Sequence, residues 1–146
     1  MQPDHSVPPT RWRVAPTLPV LKLGGAIALV LAGLWLADGD PVRPGLALLV
    51  AAGLVVWGVR DLVAPVRLAA DADGITVVTG FASRRRLSWA EIDRIEIDTR
   101  PRLGLRTNTL EIDAGEALYL LGRYDLDAAP DEVAATLRAA RARAVG

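Results

Sequence analysis

Residues 18–59 read LPVLKLGGAIALVLAGLWLADGDPVRPGLALLVAAGLVVWGV, and the nature of this stretch governs how every other part of the chain is read. Two apolar runs flank the polar turn Asp38 to Pro44. Leu23 to Ala37 gives 15 residues without a charge, and Gly45 to Val59 another 15. At about 1.5 Å per residue each run covers about 22 Å as a helix, short of a hydrocarbon core of about 30 Å. The first lengthens to 18–37 if Lys22 snorkels its ammonium to the interface, and the second reaches past Arg60 and Asp61 towards Ala64. Trp12, Trp35 and Trp57 fall near the ends, where a membrane boundary favours indole. Neither run carries a polar stripe. In water each would need burial on all sides, which a chain of 146 residues does not supply. A cleaved leader fits poorly, because Trp35-Leu36-Ala37 lacks the small-residue cleavage pattern and the second run would stay unexplained. The expectation is a transmembrane helical hairpin over 18–61, with spans at 18–37 and 44–61.

Charge placement orients that hairpin. Arg11, Arg13 and Lys22 precede it and Arg60 and Arg67 follow it, whereas the turn holds only Arg43 beside Asp38 and Asp40. Basic flanks favour the cytoplasmic side, so a multi-pass plasma-membrane protein with both termini cytoplasmic is expected. Gly24, Ala28 and Ala32 line up as one small-residue face and Ala47 and Ala51 as another, suited to close helix packing. From Arg60 to Pro65 the chain reaches only about 20 Å even when extended, so the following domain is expected at the membrane surface.

Around the hairpin the composition allows one small soluble domain, 62–146, and a proline-containing tail, 1–17, expected to be disordered and cytoplasmic. There is no cysteine, and the only histidine, His5, lies in that tail. Formal net charge is zero, with five basic and four acidic residues in 1–61 and twelve and thirteen in 62–146. Neither part is basic enough to make nucleic acid a natural partner. No phosphate-cradling loop, zinc-protease helix or nucleophile elbow occurs, so no enzymatic activity, metal or cofactor is expected. The carboxylates of Glu91, Asp93, Glu96, Asp98, Glu111 and Asp113 form no catalytic pattern. Strand alternation sends Glu96, Asp98, Glu111 and Asp113 outward beside arginines, as solvated charge.

From Val66 the hydrophobic period becomes two. Strands are predicted at 66–70, 75–79, 84–88, 95–99, 110–113 and 117–121, with turns at Asp71-Ala72-Asp73-Gly74, at 80–83 and at 114–116. Such a run of hairpins implies an antiparallel sheet. A helix closes the chain. Pro130 suits its first position, Asp131 and Glu132 complement its N-terminus, and Arg138, Arg141 and Arg143 its far end. Val133, Leu137 and Ala140 supply one apolar face.

The segment Asp73-Gly74-Ile75-Thr76-Val77, continuing through Arg86-Leu87-Ser88-Trp89-Ala90-Glu91-Ile92-Asp93-Arg94-Ile95, resembles bacterial pleckstrin-homology (PH) domains. These place a Trp-x-Glu-Ile turn between two strands. Ser88 and Glu91 have capping-box spacing, with Trp89 and Ile92 free to bury on the core side. The resemblance covers about 65–143, and the preceding hairpin is similar to that of small actinobacterial membrane proteins carrying this module. It implies a membrane-anchored α+β chain: a helical hairpin, then a PH-like antiparallel barrel or sandwich capped by a C-terminal helix. The PH fold has seven strands against the six predicted, the seventh falling within 100–108 or unrecognised. Lipid-binding eukaryotic members use basic residues around the first hairpin; Asp71-Ala72-Asp73-Gly74 is acidic, so inositol-phosphate binding does not carry over.

Arg84, Arg85 and Arg86 form the one run of three basic residues. Alternation lets Arg84 and Arg86 share a face, as a candidate contact for headgroups or a partner, or as a solvated strand edge paired with nearby acids. Two function classes follow. One is a membrane-held binding or scaffolding module for a cytoplasmic protein or lipid. The other is an accessory subunit whose hairpin packs on a larger membrane complex. The partners expected are the bilayer and an unidentified membrane or cytoplasmic protein, without nucleic acid.

Overall fold

The computed structural model describes residues 9–102 and 104–146. His5 and the rest of 1–8 lie outside the described residues. The described chain forms two compact units, a helical pair from Pro16 to Pro65 and a β-rich unit from Val66 onward that also takes in the segment ending at Ala15.

The helical pair comprises α1 (Thr17–Trp35) and α2 (Val42–Val63). Their 19 and 22 residues span about 28 and 33 Å, and both are long and apolar enough to cross a membrane. Asp38 and Gly39 turn the chain with positive φ, of 43° and 77°. Asp40 Oδ1 accepts the Val42 N–H at 2.9 Å, an Asx turn that leads into α2.

The helices meet along one seam. On α1 it holds Pro19 and Ala26, buried, with Leu23, Val30 and Gly33 half-buried; on α2 it holds Ala47, Ala51, Leu54, Gly58 and Asp61. The small-residue face expected on α2 is therefore used, but that expected on α1 is not: Gly24, Ala28 and Ala32 are exposed. Because α1 is apolar all round, no amphipathic stripe marks which side packs, and contact decides it. A Cβ on Gly33 would stand 2.5 Å from the Ala47 Cβ, and one on Gly58 3.2 Å from Leu23, so both glycines are sites of close approach. Lys22, near the start of α1, has an acidic partner. Its Nζ pairs with Asp61 Oδ2 at 2.5 Å, with Asp61 almost wholly buried. The guanidinium of Arg60 lies 5.6 Å from the Trp57 ring centroid, a cation–π contact near the end of α2.

Among the described residues, the β-rich unit contains seven strands. β1 (Thr10–Arg13), β2 (Val66–Ala70), β3 (Gly74–Thr79) and β4 (Ser83–Ser88) form one antiparallel sheet in that order. β5 (Arg94–Arg102), β6 (Leu105–Asp113) and β7 (Leu118–Leu121) form the other. The expected disordered tail is thus corrected over 10–13. Thr10 pairs with Ala70, Arg11 with Ala69 and Trp12 with Leu68, and a bulge then sets Arg13 against Val66. Trp12 packs on the core. This is the strand missing from the sequence reading, and it lies before the helices, not within 100–108. In that region β5 and β6 simply run on, turning at Gly104 with φ of 81°. The helical pair is accordingly the connection between β1 and β2, and the acidic turn 71–74 joins the second and third strands, not the first two.

Leu68, Ile75, Leu87, Ile92, Leu110 and Ile112 form the fully buried centre of this unit. A short helix α3 (Arg123–Leu126), absent from the sequence reading, buries Leu126, and its Tyr124 carbonyl accepts the Ala15 N–H at 3.0 Å. The closing helix α4 (Pro130–Val145) starts at Pro130 as expected and uses the expected face, burying Val133, Ala134 and Leu137. It is further fastened by Arg138, whose Nε and Nη2 donate to the Ile95 carbonyl at 3.0 and 2.7 Å.

Candidate functional site

The β2–β3 turn is built by its first residue. Asp71 Oδ1 accepts the backbone N–H groups of Asp73 (2.9 Å) and Gly74 (3.1 Å). Gly74 then pairs with Ser88 so closely that a Cβ would lie 2.0 Å from the Leu87 carbonyl oxygen, which only glycine permits. This pairing fixes the register of β4, setting Arg86 opposite Thr76 and Arg84 opposite Val78.

Ser88 and Glu91 behave as their spacing predicts. The Glu91 carboxylate accepts from the Ser88 N–H at 2.6 Å and from its hydroxyl at 2.8 Å, closing a single 3₁₀ turn, Trp89–Glu91. The Ser88 backbone N–H, then its hydroxyl, then the charge of Arg85 hold the Glu91 carboxyl below its ordinary value. Trp89 and Ile92 are buried as expected, and Trp89 Nε1 donates to the carbonyls of Asp71 and Ala72 at 3.2 and 3.1 Å. The indole thereby ties the turn after β4 to the turn after β2.

Of the two candidate contact arginines, the structure commits one. Arg86 Nη2 lies 3.0 Å from Asp71 Oδ2 and 3.5 Å from Asp73 Oδ2, so the acidic turn neutralises it. Arg84 is exposed, and Arg85 projects from the other side of the strand. Strand order adds one residue that sequence reasoning did not place at the site. Arg11 alternates with the inward Trp12 and so emerges on the same outward face as Arg84 and Arg86, whereas the bulge sets Arg13 against Val66, out of that alternation. One row across the sheet runs Arg11, Ala69, Thr76, Arg86; Arg84 stands one step further along opposite Val78, and Arg67, which alternates with the inward Leu68, is buried. Three strand spacings separate the two arginine edges by about 14 Å. Among the described residues, the ion pairs include Arg86 but not Arg11, Arg13 or Arg84. The signal for Arg11 was the alternation in Thr10-Arg11-Trp12-Arg13, masked by the prolines on both sides.

The rest of the surface is chemically quieter. Glu96 is exposed on the outer face of the second sheet, while Asp98 is half-buried and its Oδ2 meets Arg100 Nε at 2.6 Å. Among the described residues, no group of three or more carboxylates or histidines is placed to hold a metal. The arginine face offers fixed positive charge and N–H donors, which bind anions, and arginine itself is no base at neutral pH.

A family model described as Bacterial PH domain matches residues 65–143. No curated protein and no solved structure matches the chain. The family match begins after α2, so β1, which completes the four-stranded sheet, lies outside it. Four strands, three strands and a closing helix in this order, with the match spanning more than half the chain, place the protein in the bacterial PH domain family.

Proposed function

We propose that this chain is a non-enzymatic integral membrane protein that displays its PH domain at the cytoplasmic face of the plasma membrane as a binding or scaffolding module. The observation that carries the reading is the insertion of two membrane-length apolar helices between paired strands β1 and β2. The domain is tethered on two adjacent strands, through Val14–Pro16 on one side and Ala64–Pro65 on the other. A double tether this short restricts both distance and rotation, which suits a module that presents one surface repeatedly to partners at the membrane. Resistance to alkaline carbonate extraction tests the insertion. Topology is tested by Gly39→Cys and Ser83→Cys, each alone in a cysteine-free chain. An impermeant thiol reagent is expected to label intact cells only at position 39; labelling at 83 would reverse the orientation.

A second reading is that the protein is an accessory subunit, with the helices making the main contacts in a larger complex. It is favoured by the small-residue line Gly24, Ala28 and Ala32, which the α1–α2 seam leaves uncovered. Replacing 17–63 by an unrelated hairpin separates the two, because the display reading tolerates the exchange and the accessory reading does not.

A further inference from the structure

We propose that the groove between α4 and the 3₁₀ turn Trp89–Glu91 is a docking site for an acidic amphipathic helix of a partner protein. The inference deepens the binding-module reading above, on which it rests, by naming the surface used and the chemistry of what it takes.

The groove lies wholly within the β-rich unit. It is open along one side, holds about 450 Å³ and is lined by Trp89, Ala90, Arg138, Arg141, Ala142 and Val145. The last four follow one another along α4 at spacings of three, one and three, so they form a single stripe of the helix. Trp89 is buried whereas Val145 is 72% exposed, and the lining is mostly apolar.

Two guanidinium groups are fixed beside this apolar surface. Arg138 donates to the Ile95 carbonyl through Nε and Nη2, and Arg141 donates to the Asp93 carbonyl through Nη1 at 3.4 Å. Neither bond neutralises the charge, and each guanidinium keeps further N–H groups for an acceptor. Among the described residues, neither arginine forms an ion pair. The acids closest in sequence to the turn are engaged elsewhere. Glu91 accepts from Ser88, and Asp93 Oδ2 lies 3.2 Å from where a Cβ on Gly115 would stand, at the turn between β6 and β7. α4 itself carries no acid after Glu132. The groove therefore combines an apolar surface with positive charge that is held in place and unanswered, which is complementary to carboxylates flanking apolar side chains.

The same hydrogen bonds decide the shape of the ligand. A strand adding to β5 would draw on its edge carbonyls, and those of Asp93 and Ile95 already accept from Arg141 and Arg138. A helix satisfies its own backbone and docks through side chains alone. Leucines at i, i+3, i+4 and i+7 cover the groove, and glutamates beside them meet the two arginines. Because the domain is tethered, a partner segment held at the same membrane is met at high effective concentration, so a modest contact suffices.

The test uses the full-length chain in phosphatidylcholine nanodiscs and a fluorescent helical peptide with leucines at those spacings flanked by glutamates. Saturable binding by anisotropy is expected, and it is lost when the leucines are moved off their shared face or the glutamates become lysines. Arg141→Glu should weaken binding about fivefold to tenfold, as expected for an exposed ion pair turned repulsive. Val145→Ser should weaken it by a smaller factor. Arg143→Glu, an equal charge reversal at a residue that lines a different cavity, should leave it unchanged. A common thermal unfolding transition shows that the variants are folded. Absence of saturable binding, equal affinity for the lysine peptide, or an equal loss in Arg143→Glu overturns the proposal. So does equal binding by a proline-substituted, non-helical peptide, which would assign the groove to an extended segment. Energy transfer between labelled copies of the chain that Arg141→Glu abolishes would assign it to a second copy and overturn the proposal as well. Peptide binding is read on protein already reconstituted, whereas carbonate extraction and cysteine labelling read membrane display, so the two failures are distinguishable.

Discussion

In the β-rich unit Leu68, Leu87, Leu110 and Leu137 expose no more than 1% of their surface, whereas in the helical pair Leu21, Leu31, Leu46 and Leu49 expose 62–71%. The buried positions are reversed as well. Between the helices lie Ala26, Ala51, Gly58 and the Lys22–Asp61 pair; within the β unit lie the large aliphatic residues and Trp89. On the membrane reading proposed above, the same residue types are sorted in opposite directions by two solvents. Water drives leucine inward by about 25 cal/mol for each Å² of apolar surface removed. A lipid chain is as apolar as leucine and offers no such drive, so helices associate through close backbone approach and polar pairing. Surfaces like those of α1 and α2 would be an aggregation hazard in water. The comparison makes different mutations dangerous in each unit.

The largest effect is expected at Leu137, at the centre of the α4 face. Leu137→Asp puts a carboxylate where no partner waits and should destabilise the β unit by roughly 4 kcal/mol. Arg138→Ala, one position round, should cost about 1–2 kcal/mol, because it removes the two donors to the Ile95 carbonyl. Thermal unfolding of the full-length protein in detergent, followed by near-ultraviolet circular dichroism, checks both. Equal losses would mean that α4 does not use the face described. An exposed leucine of the hairpin supplies the contrast: Leu49→Ala should leave the same transition unmoved.

What sequence alone disclosed follows the range of the interactions involved. Ser88 and Glu91 were legible because they meet three residues apart, and Trp89 and Ile92 because one turn fixes which side they face. The helices were legible from composition. β1 was not, since four residues between prolines acquire strand geometry only by pairing with Val66–Ala70, more than fifty residues away. The seam of α1 was hidden for a different reason, as an all-apolar helix carries no moment to mark its packing side. The neutralisation of Arg86 depends on the Gly74–Ser88 pairing, a register set by tertiary structure.

Within the helical pair the sensitive residue is a glycine. Gly33→Ile should force the helices apart, with an overpacking cost of about 1–3 kcal/mol, because its Cβ would collide with that of Ala47. Gly24→Ile should cost little, as its Cβ would meet nothing within 4 Å. Spin labels at Leu21→Cys and Val59→Cys report the result as a broadened and lengthened distance distribution for the Gly33 variant only. If Gly24→Ile broadens it equally, the seam assigned to α1 is wrong. Neither change should shift the unfolding of the β unit, which would otherwise imply that the two units do not follow separate packing rules.

The smallest expected effect concerns a charge that stays in water, in contrast to the Asp61 carboxylate buried in the helical pair. Glu91 is held below its ordinary value of 4.5 first by the Ser88 N–H, next by the Ser88 hydroxyl and then by Arg85. A carboxyl whose folded pKa is depressed binds protons more readily when unfolded. Its contribution to stability is therefore complete above its unfolded pKa and disappears as the pH falls through the folded one. Replacing it by glutamine keeps the shape of the cap and removes the charge. Glu91→Gln should thus lower the melting temperature of the β unit slightly at neutral pH, and the two proteins should converge as the pH drops below about 4.5. Added salt should narrow the neutral-pH gap in part, because Arg85 acts through solvent while the Ser88 hydrogen bonds do not. A gap that persisted unchanged from neutral to acidic pH would show that Glu91 acts by geometry alone. The charge of this cap would then have no place in the stability of the domain.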